Sequence, residues 1–572
     1  MAADSASSVD LKSRAQRPRT KSSTSVAGSA EPELPTDTFD LESSPLLTDR
    51  SIPVDSGHLR LTAYALFVGL VVAISSVQFG YHNGELNTPR EAITHCDDPA
   101  ANGVGPYTPD LPTLPRCIPM SDGSFSFATS IFTLGGLVGS VLAPFVADRY
   151  GRKTATVANN LTYILGSLAM SLASNLPWLL TGRFLVGVGS GLSIVVNPMY
   201  LTEIAPVHWR GTFGLMNQLG IVLGLLFTQT LGYLLNSVPG WRIVLGMGIL
   251  LSVLQLFLII FCVESPRYLA SRPDGDIKAR ESLVRLRGTE DVDRELASWQ
   301  HMSHDLHPEA EPVPVSPLSV TFSDEDAQLL GVNNTASATP PEVTPGTAVS
   351  PSTTATPERQ RSLGTLAMLR SPHYRKPLLI ALLLQAIQQW SGINTVFFYS
   401  TVILSTISPG NEGLITVMIN VFNLLSTIVA ALLVDRLGRR PLLLVSMSGM
   451  LISLVVLALS THFSASIVSL VSVFAIVGTF AVGLGPLSFL LAVELVDTQA
   501  AGTVASCGLA ANWISNFAVS SLFLLLQKLI GGWTFLIFAG LLGVATTVVY
   551  FTVPETKDKD TEEIWRDMGL IK

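Results

Sequence analysis

The chain has 572 residues, 48% hydrophobic and only 14% charged, with a formal net charge of −8 and a mean hydropathy of +0.45. Soluble domains carry nearer a quarter charged residues, so a water-soluble globule is excluded. No basic stripe is present, which argues against nucleic acid as a partner.

Residues 1–60 are rich in Ser, Thr, Pro and charge and contain no apolar core of signal-peptide type. They read as a disordered cytosolic tail. Within it, Glu42-Ser43-Ser44-Pro45-Leu46-Leu47 forms an acidic dileucine pattern through Glu42, Leu46 and Leu47. Sorting adaptors read such motifs, so a vacuolar or lysosome-like membrane is expected, with the plasma membrane as the alternative.

Beyond the tail come long stretches free of Asp, Glu, Lys and Arg, such as Thr62–Tyr81, Ser124–Ala147, Gly211–Trp241 and Pro377–Asn411. A spanning helix needs about 20 apolar residues. The pattern predicts an all-α membrane protein with twelve transmembrane helices. In the first half they cover 61–82, 124–147, 155–176, 178–201, 211–236 and 242–263. In the second they cover 375–400, 412–434, 441–461, 465–492, 500–527 and 532–553. Two six-helix bundles follow, 61–263 and 374–553. A cytosolic linker at 264–373 joins them, helical over about 277–300 and a Pro/Ser/Thr tract over about 307–358. Residues 554–572 form a C-terminal tail. Lys and Arg concentrate in one set of loops, which places both termini in the cytosol.

The halves echo each other. Asp148-Arg149-Tyr150-Gly151-Arg152-Lys153 returns as Asp435-Arg436-Leu437-Gly438-Arg439-Arg440, 287 positions on. Glu203 is matched by Glu494, and Glu264 by Glu555, both 291 positions on. Duplicated membrane halves are the usual build of secondary transporters, with the substrate held between them. Of the four cysteines, Cys262 and Cys507 read as packing residues. Cys96 and Cys117 share one polar loop and pair if that loop faces an oxidising compartment.

The chain resembles the sugar porters of the major facilitator superfamily. The resemblance rests on Gln78-Phe79-Gly80-Tyr81, Gly182-Arg183-Phe184, Glu203, Arg210-Gly211, Glu264-Ser265-Pro266-Arg267, Gln388-Gln389-Trp390-Ser391-Gly392-Ile393-Asn394 and Pro554-Glu555-Thr556. It covers nearly all of 61–560 except the central loop. The spacing is similar to animal-type hexose facilitators and to fungal vacuolar relatives. The resemblance implies a central sugar site opened alternately to each side, with no cofactor and no metal.

A sugar presents hydroxyls and an apolar C–H face, which neutral donor–acceptor side chains and aromatic walls suit. Carboxamides serve the hydroxyls without burying charge. The resemblance carries sugar contact onto Gln218, Gln388, Gln389, Asn394, Asn423 and Asn512, with Phe480, Phe489 and Trp513 as walls. For any one amide the competing reading is a helix–helix hydrogen bond. Family members often have Glu and Trp where this chain has Ala481 and Phe489, so an unusual affinity or preference is expected.

The charged motifs give a gating network at the cytosolic helix ends: Asp148, Arg149, Arg152, Glu203, Arg210, Glu264, Arg267, Asp435, Arg436, Arg439, Glu494 and Glu555. Ion pairs there would latch the outward-open state. The position matching Arg210 is Ala501, so the halves are expected to hold unequally. The competing reading is that these charges only set topology.

Proton-coupled sugar porters place Asp where this chain has His82, near an Arg matched by Arg183, and Glu85 follows one turn later. Glu85 pairing with Arg183 would leave His82 to titrate. The favoured reading is that His82 and Glu85 sit at the water boundary and do no coupling, so facilitated diffusion of a monosaccharide, a hexose first of all, is expected. The alternatives are a proton-coupled sugar or polyol symporter or antiporter, and a non-transporting sugar sensor. An enzyme is not expected: no Walker A loop is present, and Gly187-Val188-Gly189-Ser190-Gly191 lies inside an apolar helix, where small residues favour close packing. The partners expected are the sugar, membrane lipid and a sorting adaptor, and the chain is read as a monomer.

Overall fold

The computed structural model describes residues 61–94, 114–237, 240–272, 275–297, 365–557 and 559–570. The sorting residues Glu42, Leu46 and Leu47, Cys96, and the Pro/Ser/Thr tract lie outside the described residues.

The first half is built from α1 (Ala63–Gly84), short α2 (Arg90–Thr94), α3 (Asp122–Tyr150), α4 (Arg152–Ser171), α5 (Leu176–Ile204), α6 (Arg210–Leu234) and α7 (Gly240–Ile259). Three short helices follow, α8 (Pro266–Ala270), α9 (Asp276–Arg287) and α10 (Thr365–Arg370). The second half contains α11 (Pro372–Trp390), α12 (Ile393–Ile407), α13 (Glu412–Leu437), α14 (Arg439–His462), α15 (Ser466–Val482), α16 (Leu484–Glu494), α17 (Thr498–Ile530) and α18 (Thr534–Thr552). Short α19 (Thr561–Asp567) ends the described chain. Strands are absent among the described residues.

Nine stretches of the described chain are long and apolar enough to cross a membrane, and one of them, Ala500–Thr552, contains both α17 and α18. The remaining passes are α4, diluted by polar residues such as Asn159 and Asn160, and the broken pair α11–α12. Together these make the twelve-helix major facilitator arrangement.

Two spans expected to be continuous are interrupted. The seventh breaks after Trp390, where Gly392 adopts φ +81°. A side chain is disfavoured in that left-handed conformation, and a Cβ there would also meet the Phe538 ring at 2.9 Å. The tenth breaks at Gly483, between α15 and α16. Elsewhere glycine draws helices together: a Cβ on Gly187 or Gly191 of α5 would lie 2.1 Å from a backbone oxygen of α3. The glycine run therefore serves helix packing, not nucleotide binding.

The halves meet at the end opposite the charged motifs. Asn87, just past α1, donates to Ser400 Oγ of α12 at 2.7 Å, and Thr401 Oγ1 donates to the Asn87 carbonyl at 3.0 Å. Phe125 of α3 packs edge-on against Tyr399 at 6.5 Å, and Tyr233 at the end of α6 covers Gly413 of α13. Cys117 is disulfide-bonded, whereas Cys262 is a buried thiol.

Candidate functional site

The break in the seventh pass places carboxamides on both sides of a kink. Asn394 Nδ2, at the start of α12, donates to Gln389 Oε1 at 2.6 Å. Gln389 Nε2 donates to Asn512 Oδ1 on α17 at 3.0 Å. Asn512 Nδ2 in turn donates to Gln388 Oε1 at 2.6 Å and to Gln385 Oε1 at 2.9 Å. Gln388 Nε2 reaches the tenth-pass break, donating to the Gly485 carbonyl at 2.8 Å and to Ser488 Oγ at 2.7 Å. Four expected residues thus form one chain of amides, and each is buried or partly buried. The sequence reading missed two members, Gln385 and Ser488. Gln385 was accessible in principle, since it lies one helical turn before Gln389 on the same face.

Trp513 of α17 joins this group to the first half. Phe79 of α1 and Phe132 of α3 each approach its ring edge-on at 6.2 Å, and a Cβ on Gly136 would meet that ring at 2.6 Å. Its indole N–H is buried without a hydrogen-bond partner among the described residues. A buried, unpartnered donor costs on the order of 1–3 kcal/mol, which an incoming hydroxyl oxygen would recover.

The other expected contacts stand apart. Gln218 on α6 is half-buried and Asn423 on α13 is buried, and neither side chain has a hydrogen-bond partner among the described residues. Beside Gln218, Asn217 accepts from Ser76 Oγ at 2.7 Å, and Ser76 accepts from Asn197 at 3.0 Å. Phe480 packs over Gly485 at the tenth-pass break. Phe489 is 38% exposed and makes no ring contact among the described residues. Asn516, four residues beyond Asn512 and not among the expected contacts, is engaged within its own helix, accepting from Ser520 Oγ at 3.0 Å.

At the charged end, Arg152 clamps Glu203 with two bonds, Nε to Oε2 at 2.9 Å and Nη2 to Oε1 at 3.0 Å. Asp148 is 3.5 Å from Arg152. Ser265 Oγ donates to Glu203, and Glu264 accepts the backbone N–H groups of Arg152, Lys153 and Ser265. The second half repeats the plan with a looser clamp. Arg439 Nε is 3.5 Å from Glu494, too long for a good hydrogen bond, while Thr556 Oγ1 donates to Glu494. Glu555 accepts the N–H groups of Arg439, Arg440, Thr556 and Lys557. Burial pushes the Glu264 carboxyl above its usual value despite its backbone donors. Burial also pushes Glu555 upward, but its four donors outweigh that and leave it below the usual range.

Ion pairs at this end join residues of one half each, among the described residues. Arg210 is exposed and belongs to none of them, as do Arg149, Arg267 and Arg436. The Asp435 side chain lies outside the described residues.

The placement of His82 and Glu85 at a water boundary is corrected by the structure. Both are fully buried, as is Arg183. Arg183 Nη1 donates to Glu85 Oε1 at 2.7 Å and to the His82 carbonyl at 2.7 Å. His82 Nδ1 lies 2.8 Å from Glu85 Oε2, so His82 is held by the same carboxylate. Its ring stacks on Tyr163 at 4.9 Å, and Arg183 sits over the Phe132 ring at 4.6 Å. The reason is local: α1 stops at Gly84, but Leu86, Asn87, Ala92 and Ile93 fold back and remain buried, covering the helix end.

A duplicated membrane bundle with an amide-lined kink and paired charged clasps matches one family over most of its length. The profile described as "Sugar (and other) transporter" matches residues 68–332 and 345–568. The chain belongs to the sugar transporter family. It is 33% identical over 527 residues to a probable metabolite transport protein of Saccharomyces cerevisiae, covering 90% of this chain and 96% of that protein. It is 34% identical over 517 residues to human solute carrier family 2, facilitated glucose transporter member 4, covering 88% of this chain and 91% of that one. Among solved structures, the inward open xylose transporter XylE from E. coli superimposes with a TM-score of 0.65 at 22% identity, covering 88% of this chain and 99% of that one.

Proposed function

We propose that this family member carries a monosaccharide, a hexose first of all, across its membrane by alternating access and facilitated diffusion. The observation that carries the reading is the chain of carboxamides Asn394–Gln389–Asn512–Gln388 beside the unpartnered Trp513 indole. Neutral amides match sugar hydroxyls without the cost of buried charge, and the indole offers both a flat wall and a donor. Gln218, Asn217 and Asn423 would complete the contacts as the halves close. The named relatives support a sugar or related small metabolite as cargo.

The basic residues at the clasp end support a cytosolic placement of that end and of both termini. The protein is then sealed on the far side by Asn87, Ser400 and Thr401. On rocking, the two clasps would approach and Arg210 would find an acidic partner in the other half, latching the opposite state. The dileucine pattern supports residence in a vacuolar membrane.

The reading is tested by counterflow of labelled hexoses into liposomes carrying the purified protein, with Gln389→Ala as control. Counterflow that Gln389→Ala abolishes supports it. Absence of counterflow across hexoses, pentoses and polyols with folded protein overturns it.

A second reading, proton coupling, is favoured by the buried Glu85–Arg183–His82 group. Under it, Glu85→Gln would flatten the pH dependence of uptake. Under facilitated diffusion, uptake by wild type and Glu85→Gln shows the same pH dependence.

A further inference from the structure

Where α11 and α18 reach the clasp end, a groove of about 410 Å³ opens between them on the outer surface of the second half. Leu379, Leu383 and Val548 line its apolar part, and Arg375, Lys376 and Thr552 frame the end nearest the helix termini. Leu379 is 48% and Val548 39% exposed, and both stand on helices that cross the membrane. Exposed apolar side chains there face lipid acyl chains.

The charges are placed for a headgroup. Arg375 is exposed and has no ion pair among the described residues. Lys376 spends one N–H on the Met568 carbonyl at 2.6 Å and keeps two donors. Ser371, the cap of α11, makes no side-chain bond to the first turn, so the partial positive charge of that helix end adds to the two cations. Leu383 lies eight residues beyond Arg375, which puts it about 12 Å deeper along the helix axis. Cations at the interface with an apolar slot running inward are complementary to an anion that trails a hydrocarbon chain.

We propose that this groove binds an anionic phospholipid of the leaflet beside the clasps, its phosphate at Arg375 and Lys376 and an acyl chain along Leu379, Leu383 and Val548. The assignment rests on the membrane-spanning fold and is independent of the cargo. A bound lipid would bridge the seventh and twelfth passes at the end where the second half must move.

The test uses the purified full chain in detergent, with thermal unfolding followed during titration by dioctanoyl phosphatidylglycerol, dioctanoyl phosphatidylcholine or inorganic phosphate. Phosphatidylglycerol is expected to raise the unfolding temperature saturably, phosphatidylcholine to do so only weakly, and phosphate not at all. One interfacial cation is worth about fivefold in affinity for an anionic headgroup, so Arg375→Gln should weaken phosphatidylglycerol by about that factor. Val548→Trp, which fills the apolar slot and leaves both cations in place, should weaken it as well. Arg375 is exposed and has no ion pair among the described residues, so its variant should unfold like wild type without lipid. If it does not, Val548→Trp decides alone. Equal responses to the two lipids, or an unweakened Val548→Trp, would overturn the assignment. A phosphate response equal to that of phosphatidylglycerol would replace it with a bare anion site.

Discussion

Asn87 and Ser400 belong to different halves of the duplicated chain and share a 2.7 Å hydrogen bond at the end where the bundle is closed. Asn87 also accepts from the Thr401 amide, and its carbonyl accepts from the Thr401 hydroxyl, so one residue ties the turn after α1 to the middle of α12. Hydrogen bonds of this kind contribute about 1 kcal/mol each, close to a fivefold bias in a two-state equilibrium. Asn87→Ala is therefore expected to shift the population toward the state open at this end. Labelling of a cysteine introduced at the neighbouring, partly buried Val402, which leaves the Thr401 hydroxyl in place, by a membrane-impermeant thiol reagent should rise severalfold in the variant. Unchanged labelling would show that the junction is held by Phe125–Tyr399 and Tyr233–Gly413 packing instead.

The amide chain sets an expected order among variants of the candidate site. Gln389 links Asn394 to Asn512, so Gln389→Ala would remove its proposed sugar contact and free two neighbours. Gln218 has no side-chain partner among the described residues to release. Each lost contact to a buried polar group costs about 1–3 kcal/mol, roughly 5- to 150-fold in affinity. Gln389→Ala is expected to raise the half-saturation concentration for counterflow more than Gln218→Ala does, and Gln385→Ala to fall between them. Equal effects at all three would mean that the amides act independently of their network.

Much of this was legible in the sequence, and the parts that were not have physical reasons. The passes could be read because most of them are apolar along their length, as a segment in lipid must be, although α4 carries Asn159 and Asn160. The breaks at Gly392 and Gly483 were invisible to hydropathy, because glycine is as acceptable to an unbroken apolar run as to a kinked one. Four of the amides found their network. Ser488 escaped because its role depends on how α16 is rotated, whereas Gln385 could be read from its place one turn before Gln389. His82 and Glu85 were misread for a related reason. Distance from the end of a helix says nothing about the segment that folds over it, here Leu86–Ile93.

The Glu85–Arg183 pair should matter to folding before it matters to transport. Both side chains are fully buried at 2.7 Å, and the carboxylate also holds His82. Removing one partner of such a pair costs about 3–5 kcal/mol, because the other charge stays buried and uncompensated. Glu85→Ala is expected to lower the unfolding temperature in detergent strongly. Glu85→Gln, which keeps an acceptor for the guanidinium, should lose less, and Arg183→Gln in that background should recover part of the loss. A double variant no more stable than Glu85→Gln would mean that Arg183 is compensated by the Phe132 ring and backbone carbonyls alone.

The two clasps should also part company in acid. Glu264 and Glu555 occupy equivalent places, yet burial raises the first carboxyl above 4.5 while four N–H donors hold the second below it. A raised carboxyl penalises the ionised folded state, so the cost of Glu264 is present at neutral pH and disappears as the pH falls through its raised value. A depressed carboxyl does the reverse: the stability from Glu555 is present above 4.5 and lost only as the pH falls through its lower value. Relative to Glu264→Gln, wild type should therefore gain stability between neutrality and pH 4.5. Relative to Glu555→Gln, it should hold a constant advantage over that range and lose it below. Thermal unfolding of the three proteins across pH 7 to 3.5 separates the cases. If the Glu555 advantage fades first, the four backbone donors are not what hold that carboxyl down, and the first-half clasp, with its bidentate Arg152–Glu203 clamp, is the less acid-sensitive of the two.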